Sequence, residues 1–457
     1  MSTVDRTTLA SRVVIAGTHS GVGKTTVATG LMAALRHAGH RVGAAKVGPD
    51  FIDPGYHSLA VGRPSRNLDI WMSGADAVAP LAARAAAGTD LLVIEGVMGL
   101  FDGAGDGTPS STADVARLLG APVILVIDAA SMSQSVAAIA HGFATHDPNI
   151  RVAGLILNRV GSPGHETLLR DALAPLGIPV LGVLMRDDRL VWRDRHLGLI
   201  PVAERGAEVA ASIAVLAELI AMRCDLQAIA DLAATASPLT TVGPSMASPV
   251  DGPPVRIALA SGPAFSFTYP DNLEALTAAG AQLVPFDPCT DPALPDNICG
   301  LVAGGGFPEV YASELSANTA LLADVRNRVS AGLVTWAECG GLLWLCRDLD
   351  GSPMAGVVAA SSAMTQRLTL GYRTATSKAA SPLGPTGTTM RGHEFHYSKT
   401  DPDGDLFALV GRHGIGTGGF GHERLVATYL HTHLGSRPDL ASAFVGSCSA
   451  LRVPYAG

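Results

Sequence analysis

Apolar runs of strand length alternate with longer helical stretches through the first half of the chain. Residues 12–17 form a β-branched run, a glycine loop follows, and residues 27–36 have the periodicity of a helix. Further runs typical of buried strands lie at 41–46, 91–95, 123–128 and 152–158. Because strands that alternate with helices form parallel sheets, this pattern predicts a doubly wound, mostly parallel α/β sheet.

The alternation is interrupted once and then resumes. Residues 234–254 are rich in turn-forming residues and have no periodicity, which indicates an interdomain linker. Short apolar runs lie between helix-like segments again at 255–260, 282–286, 300–303 and 333–336. The sequence therefore predicts one α/β domain over 1–233, a linker over 234–254 and a second α/β domain over 255–457.

Composition narrows the class of protein. The chain has 457 residues, of which 47% are hydrophobic, enough for more than one core. Its net charge of −8 gives nucleic-acid binding no electrostatic support. The longest apolar stretch, 209–222, contains Glu218 and is too short to span a bilayer. Asp5 and Arg6 interrupt any secretory signal, so we expect a cytoplasmic protein without nucleic-acid or membrane partners. The six cysteines form no CxxC pair, and neither disulfides nor zinc is expected.

The glycine loop after the first strand has the chemistry of a phosphate site. Such a loop needs glycines for close approach, a Lys for the outer phosphates and a Ser or Thr for magnesium. The strict pattern would have Gly at position 18, where this chain has Thr18 with Gly17 before it, so the loop is a variant. The predicted nucleotide-binding residues here are Gly21, Val22, Gly23, Lys24, Thr25 and Thr26.

Acidic side chains near the strand ends are candidates for a Mg²⁺ site. Glu95 ends a buried strand, at the edge where ligands bind in open parallel sheets. Asp50 and Asp53 follow another strand, and each can supply a second carboxylate ligand or bind water around the metal. The predicted metal ligands are Thr25, Asp50 and Glu95.

A cysteine in the second half has the setting of a nucleophile. Cys339 ends an apolar run and is followed by two glycines and a helix-like stretch, which favours a tight strand-to-helix turn. A helix N-terminus lowers the pKa of a thiol. His431 and His433 are both candidates for the base, and amides of 304–306 and Gly340 for the oxyanion site. We predict Cys339, His431 and His433 as the catalytic residues.

The loop over 17–25 (GTHSGVGKT) resembles that of the dethiobiotin synthetase group of P-loop enzymes, which make acyl or carbamoyl phosphates. This resemblance implies ATP and Mg²⁺ as cofactors. It also implies that Lys46, after the second strand, contacts the nucleotide and that Asn158, after a later strand, reads the adenine. The alternative for Asn158 is a polar cap at a strand end.

Residues 255–457 resemble a class I glutamine amidotransferase domain, in which a Cys attacks the glutamine side-chain amide and a His passes the proton as ammonia leaves. Two positions depart from that pattern. Ala337 replaces a Gly two residues before the Cys, and His433 replaces the Glu that orients the base. Alignment with the pattern assigns the base to His431, with His433 as the alternative.

The two halves together resemble the corrinoid amidating synthases, and within them the a,c-diamide synthases, over essentially the whole chain. The segments that carry the resemblance are 46–56 (KVGPDFIDPGY), 66–72 (RNLDIWM), 95–103 (EGVMGLFDG), 195–201 (RHLGLIP), 265–273 (FSFTYPDNL), 304–310 (GGGFPEV), 337–341 (AECGG) and 392–398 (GHEFHYS). Cobyric acid synthases share the layout but lack RHLGLIP and GHEFHYS.

This resemblance implies ATP- and glutamine-dependent amidation of the a and c carboxylates of hydrogenobyrinic acid in cobalamin biosynthesis, through acyl phosphates. Lys46, Arg66, Arg195 and His196 are candidates to hold the corrinoid polycarboxylate. Cobalt-containing cobyrinic acid is the alternative substrate. The Ala- and Arg-rich composition fits high-GC bacteria, where the oxygen-requiring route is common, and favours the metal-free corrinoid. We include a homodimer among the expected assemblies.

Two other classes remain as alternatives. A P-loop regulatory or partitioning ATPase could carry an inactive amidotransferase-like module, against which the presence of Cys339 and His431 argues. A dethiobiotin-type carboxylase would leave residues 255–457 unexplained.

Overall fold

The structure of the chain, a computed structural model, describes residues 6–9, 11–105, 107–187, 194–195, 198–199, 202–243, 247–412 and 414–451. The chain forms two compact units, Met1–Pro244 and Ser245–Gly457. Their boundary falls inside the segment 234–254. That segment also contains a strand, Thr240–Val242, which pairs antiparallel with Arg6–Thr8.

The first unit contains strands and helices in alternation. Its strands are β1 (Arg6–Thr8), β2 (Ser11–Gly17), β3 (Val42–Val47), β4 (Arg66–Leu68), β5 (Leu91–Glu95), β6 (Val123–Asp128), β7 (Val152–Val160), β8 (Val180–Met185), β9 (Asp194–Arg195), β10 (Gly198–Leu199) and β11 (Thr240–Val242). Its helices are α1 (Lys24–His37), α2 (Ile52–Val61), α3 (Ile70–Ser73), α4 (Ala75–Ala86), α5 (Thr112–Leu119), α6 (Ser135–Thr145), α7 (Pro163–Leu173), a 3₁₀ turn (Ala174–Leu176), α8 (Val202–Arg223) and α9 (Leu226–Ala234).

A seven-stranded sheet in the order β4-β3-β5-β2-β6-β7-β8 organises this unit. Every neighbouring pair in it is parallel. All residues of β3 and β5 are buried, as expected for strands covered by helices on both faces. The carboxyl ends of β2, β3 and β5 therefore meet at one edge, where the glycine loop follows β2.

The second unit contains two sheets. Its strands are β12 (Val255–Ala260), β13 (Ala281–Phe286), β14 (Gly300–Ala303), β15 (Val334–Glu338), β16 (Asp348–Leu349), β17 (Ser352–Pro353), β18 (Ser361–Ser377), β19 (Thr389–Asp401), β20 (Phe407–Gly411), β21 (Gly414–Gly418), β22 (Phe420–His422), β23 (Leu425–Thr428) and β24 (His431–Thr432). Its helices are α10 (Pro270–Ala278), α11 (Ala312–Ala317), α12 (Thr319–Ser330), α13 (Gly340–Leu345), a 3₁₀ turn (Leu434–Ser436) and α14 (Pro438–Ser449).

The first of these sheets has the order β13-β12-β14-β15-β23-β22 and is parallel except for β22. Successive residues of β15 enter different cores: Trp336 packs with Phe444, and Ala337 packs with Trp344. The second sheet is built on the long antiparallel pair β18 and β19, with β24 beside β19.

The predicted mixed α/β architecture with parallel sheets is confirmed, and several predicted strands match the structure residue for residue, among them 91–95, 123–128, 255–260 and 300–303. The sheet built on β18 and β19 was not predicted. Among the helices that the structure describes, none combines the length and apolar character needed to cross a membrane.

Candidate functional site

The glycine loop of the first unit has the backbone geometry of a phosphate cradle. Gly21 and Gly23 have φ angles of 82° and 93°, a left-handed region that favours glycine. Helix α1 begins at Lys24, so the amides of its first turn point into the loop. Lys24 is buried and its Nζ donates to the carbonyl of His19 at 3.1 Å. Burial and the ammonium of Lys46 lower the pKa of Lys24 to about 8.

Asn158 lies against this loop. Its Nδ2 donates to the carbonyl of Val22 at 2.8 Å, and its Oδ1 accepts from the amide of Arg159 at 2.9 Å. A Cβ on Gly23 would lie 2.3 Å from Asn158 Nδ2. The side chain thus fixes the loop, and the predicted adenine contact stays a prediction. Val22 is fully buried, and Thr26 is half-buried in α1.

A buried cluster of charged groups lies beside the first turn of α1. Lys46 Nζ donates to Asp53 Oδ2 at 2.6 Å and to Glu95 Oε1 at 2.8 Å. Thr25 Oγ1 lies 2.7 Å from Glu95 Oε1 and 3.2 Å from Asp53 Oδ2. Burial opposes the charge on Lys46, but Asp53 and Glu95 raise its pKa above the ordinary value. Two carboxylate oxygens therefore converge on the ammonium of Lys46, and the hydroxyl of Thr25 lies beside both of them.

The structure brings Asp53, rather than Asp50, to Thr25 and Glu95. Asp50 Oδ1 accepts from the amide of Ile52 at 2.6 Å, at the start of α2. Burial and the charge on Asp53 raise the pKa of Asp50 to about 7. A further neighbour, which no motif in the sequence indicates, is His57, whose Nε2 lies 2.6 Å from Glu95 Oε2.

These oxygens fit a magnesium ion that is shared with nucleotide phosphates. A hydroxyl and two carboxylates are hard oxygen donors, and Mg²⁺ commonly uses one or two protein carboxylates together with phosphates and waters. Among the described residues, no group of three His, Cys, Asp or Glu side chains could hold a metal ion. Thr25, Asp53 and Glu95 would thus hold Mg²⁺ only jointly with a bound phosphate.

In the second unit, Cys339 occupies the turn between β15 and α13. Its φ of 47° lies in the left-handed region, which is strained for a residue other than glycine. A Cβ on Gly341 would lie 2.2 Å from the carbonyl oxygen of Ala303, so a larger residue cannot follow in this turn. Burial raises the pKa of another thiol, Cys346, to about 12. All six cysteines are free thiols.

His431 lies against Cys339. Burial would lower the pKa of His431, but the charge on Cys339, a hydrogen bond with Cys339 and the nearby carboxylate of Glu338 raise it to about 10. Its Nδ1 lies 3.6 Å from Glu338 Oε2, which leaves Nε2 for the thiol. A Cβ on Gly305 would lie 2.5 Å from His431 Cε1, so glycine is needed where the 304–306 loop passes the ring.

His433 is engaged elsewhere. Its Nδ1 accepts from the amide of Gly435 at 3.2 Å, and its Nε2 lies 3.7 Å from Asp271 Oδ2. The ring also packs on Tyr269, with a centroid distance of 4.9 Å. The nitrogens of His433 therefore face Gly435 and Asp271, whereas His431 contacts the candidate nucleophile.

The structure reduces the number of backbone amides that could bind an oxyanion beside Cys339. The amide of Gly305 donates to the carbonyl of Phe267 at 3.1 Å, which removes it from the predicted set. A Cβ on Gly340 would lie 3.1 Å from the nitrogen of Gly306, so these two amides are close neighbours beside Cys339. The amides of Gly304, Gly306 and Gly340 stay candidates to bind an oxyanion.

The candidate corrinoid-binding residues are only partly described. Lys46 is committed to its carboxylates, and Arg66 is buried on β4. Arg195 lies in β9, but its side chain lies outside the described residues, as does the whole of His196.

Comparisons with known proteins match two different family models to the parts of the chain that carry the two candidate sites. Residues 13–199 match the family model of the CobQ/CobB/MinD/ParA nucleotide binding domain. Residues 256–439 match the model of the CobB/CobQ-like glutamine amidotransferase domain.

Similar proteins cover nearly the whole chain. It is 47% identical to a hydrogenobyrinate a,c-diamide synthase of Streptomyces coelicolor, over 98% of this chain and 99% of that protein. It is 47% identical to the hydrogenobyrinate a,c-diamide synthase of Thermobifida fusca, over 96% of this chain and 97% of that protein. A cobyrinate a,c-diamide synthase of a Synechococcus species is 43% identical, over 95% of this chain and 98% of that protein.

Proposed function

The chain belongs to the family of hydrogenobyrinate and cobyrinate a,c-diamide synthases, and from this premise we propose that it amidates the a and c carboxylates of hydrogenobyrinic acid with ATP and glutamine in cobalamin biosynthesis. The observation that carries the proposal is the pairing of two chemistries in one chain. A phosphate loop with converging oxygens lies in one unit, and a strained Cys339 beside His431 lies in the other.

The first unit activates the carboxylate. A carboxylate resists attack by ammonia because it carries charge, so one of its oxygens first attacks the γ-phosphorus of ATP and ADP leaves. Lys24 and the amides of the loop stabilise the charge on the transferred phosphoryl group. The product is an acyl phosphate, from which ammonia displaces phosphate to give the amide.

The second unit supplies the ammonia. Cys339 passes its thiol proton to His431, its Sγ attacks the side-chain carbonyl carbon of glutamine, and the amides of Gly306 and Gly340 bind the oxyanion. His431 gives its proton to the departing nitrogen, which leaves a glutamyl thioester and free ammonia. A water molecule deprotonated by His431 then hydrolyses the thioester, releasing glutamate and restoring the thiol.

Mg²⁺ completes the ATP site in this proposal. Thr25, Asp53 and Glu95 would hold the ion together with the nucleotide, and it would neutralise phosphate charge during transfer. The ion and the ammonium of Lys46 would then compete for the same carboxylate oxygens, Asp53 Oδ2 and Glu95 Oε1. A Lys46 ammonium displaced in this way would be available to a phosphate or to a substrate carboxylate.

The identity of the corrinoid is tested by product analysis. Purified protein is incubated with ATP, Mg²⁺ and glutamine and with either hydrogenobyrinic acid or cobyrinic acid, and the products are identified by mass spectrometry. We expect two amidations of the metal-free corrinoid, each replacing one hydroxyl by one amino group. Diamide formed only from the cobalt corrinoid would reverse the choice of substrate.

Two further measurements on the purified protein test its oligomeric state and the alternative that it is a regulatory ATPase. A homodimer remains our expected assembly, to be measured by light scattering at the assay concentration. ATP hydrolysis that requires neither corrinoid nor glutamine, without any amide product, would instead support a regulatory ATPase.

A further inference from the structure

A carboxylate faces the base from a position that the amidotransferase pattern does not use. Glu338 is the last residue of β15 and immediately precedes Cys339. It is buried, and its Oε2 lies 3.6 Å from Nδ1 of His431. The residue two positions after His431, where the pattern has an orienting Glu, is His433, which faces Asp271 instead.

We propose that Glu338 is the positioning residue of the glutaminase site, holding His431 with its proton on Nδ1 and stabilising the imidazolium that forms there. This inference rests on the proposed function. It assigns the nucleophile and the orienting acid to consecutive residues of one strand end, with the base supplied from another strand.

The second oxygen of Glu338 fixes the carboxylate relative to the base. Oε1 accepts from the amide of Thr432 at 3.1 Å, and Thr432 directly follows His431. The carbonyl of Thr432 accepts from Asn272 Nδ2 at 2.7 Å. The segment carrying the base is therefore held from both sides.

The strained turn explains how consecutive residues serve two functions. In a regular strand, neighbouring side chains point to opposite faces. Because Cys339 has a φ of 47°, the chain turns sharply after Glu338. Glu338 remains on β15, opposite Thr428 of β23, while the next residue enters the turn that leads into α13.

Other ionisable groups surround His431, and their charges favour the same assignment. They are Cys339 in the turn, Glu338 on β15, Arg373 on β18, and His393, Glu394 and His396 on β19. Burial lowers the pKa of His393 to about 3 and that of His396 to about 4, so both are neutral. Glu394 is paired with Arg373 at 3.0 Å, which leaves Glu338 as the acid that faces the base directly.

The sign of the effect on pH dependence follows from charge. The pKa of His431 is raised to about 10, in part by Glu338. Replacing Glu338 with Gln removes a negative charge and lowers that pKa. Since the imidazolium gives its proton to the leaving ammonia, the alkaline limb of glutaminase activity moves to lower pH.

The test compares E338Q with the matched variant D271N, which neutralises the acid beside the other histidine. Glutamate release is measured as kcat and kcat/KM across pH, and ammonia-driven amidation is measured in parallel. For E338Q we expect kcat to fall on the order of 10²-fold and the alkaline limb to shift down by about one pH unit or more. For D271N we expect the alkaline limb to stay at the wild-type pH. In E338D the limb should return part of the way from its position in E338Q towards that of wild type.

Several outcomes would overturn the proposal. One is E338Q with glutaminase activity within about twofold of wild type; another is an alkaline limb that moves in D271N and not in E338Q. If E338Q also loses ammonia-driven amidation or unfolds at lower temperature, E338D decides: an alkaline limb closer to wild type than that of E338Q supports the proposal, and a limb shifted as far as that of E338Q rejects it. Failure of the proposed function would be separate, because it would remove amidation from the unmodified protein as well.

Discussion

His431 and His433 lie two residues apart and differ in the groups they face. His431 contacts Cys339 and lies 3.6 Å from Glu338, while His433 bonds to the amide of Gly435 and faces Asp271. Because i and i+2 residues share a face of a strand, alternation could not separate them in the sequence. In the structure the ring of His433 faces α10 through Asp271 and packs on Tyr269.

We predict that H431N damages the glutaminase more than H433N. Loss of a general acid–base group costs on the order of 10²–10⁴-fold in rate. The groups that His433 faces, Gly435, Asp271 and Tyr269, have no role in the proposed reaction, so its loss should act mainly on folding stability. Glutamate release and thermal unfolding of both variants check this, and an H431N enzyme more active than H433N would reverse the assignment.

A second prediction at this scale concerns the two aspartates. D53N should raise the Mg²⁺ concentration needed for half-maximal activity by about tenfold or more, because it removes one charged oxygen from the converging set. D50N is the matched control, since Asp50 bonds to the amide of Ile52 and should change the Mg²⁺ requirement less. Mg²⁺ titrations of ammonia-driven amidation separate the variants, and a larger effect in D50N would favour Asp50 as the ligand.

Residue types and motifs in the sequence predict most of the candidate site. Contacts between residues that are far apart in the sequence could not be predicted from them. Glu338 was passed over because its partner, Thr432, lies 94 residues away. Asp50 and Asp53 looked equivalent until α2 placed one carboxylate at its own N-terminus and the other against Thr25. Such choices depend on where a helix begins to within one residue, which periodicity does not fix.

At the scale of elements, buried parallel strands were the most predictable part of the fold. Strands such as β5 and β6 are apolar along nearly their whole length because helices cover both faces. Strands β18 and β19 escaped prediction for the opposite reason. Most residues of β18 are half-buried or exposed, so its sequence has neither a continuous apolar run nor a regular alternation.

The phosphate loop supplies a prediction at this scale. In G23A, a methyl group would lie 2.3 Å from Asn158 Nδ2, and the residue would keep a φ of 93° that alanine resists. We expect ATP affinity to fall at least tenfold, because the loop must shift away from its phosphate-binding shape. Calorimetric titration with ATP measures this loss.

G142A is the matched control for that substitution. Gly142 lies inside α6, and a Cβ there would meet nothing within 4 Å. Alanine in a helix interior should stabilise the fold by roughly 0.5–1 kcal/mol and leave ATP binding unchanged. Equal affinities for G23A and G142A would contradict the role given to the loop.

At the scale of the whole molecule, the two compact units carry two chemistries that need each other only through ammonia. The phosphate loop and its oxygens belong to Met1–Pro244, and Cys339 with His431 belongs to Ser245–Gly457. In the proposed function, activation of a carboxylate uses no atom of glutamine, and cleavage of glutamine uses no atom of the carboxylate. Variants at the two sites should therefore have different and diagnostic defects.

We predict that C339A abolishes glutamine-driven amidation and keeps ammonia-driven amidation largely intact, whereas K24A loses amidation with both donors. The thiol is the only proposed means of cleaving glutamine, and added ammonia replaces its product. Lys24 acts before either donor is used, because its charge stabilises phosphoryl transfer.

C346A is the matched control for the first variant, since Cys346 is another buried thiol of the same unit, and it should keep both activities. The diamide formed with each donor is quantified by mass spectrometry. Equal loss with both donors in C339A would reject the separation of the two reactions, and K24A activity above about a tenth of wild type would reject the ATP site, because loss of such charge stabilisation costs far more than tenfold.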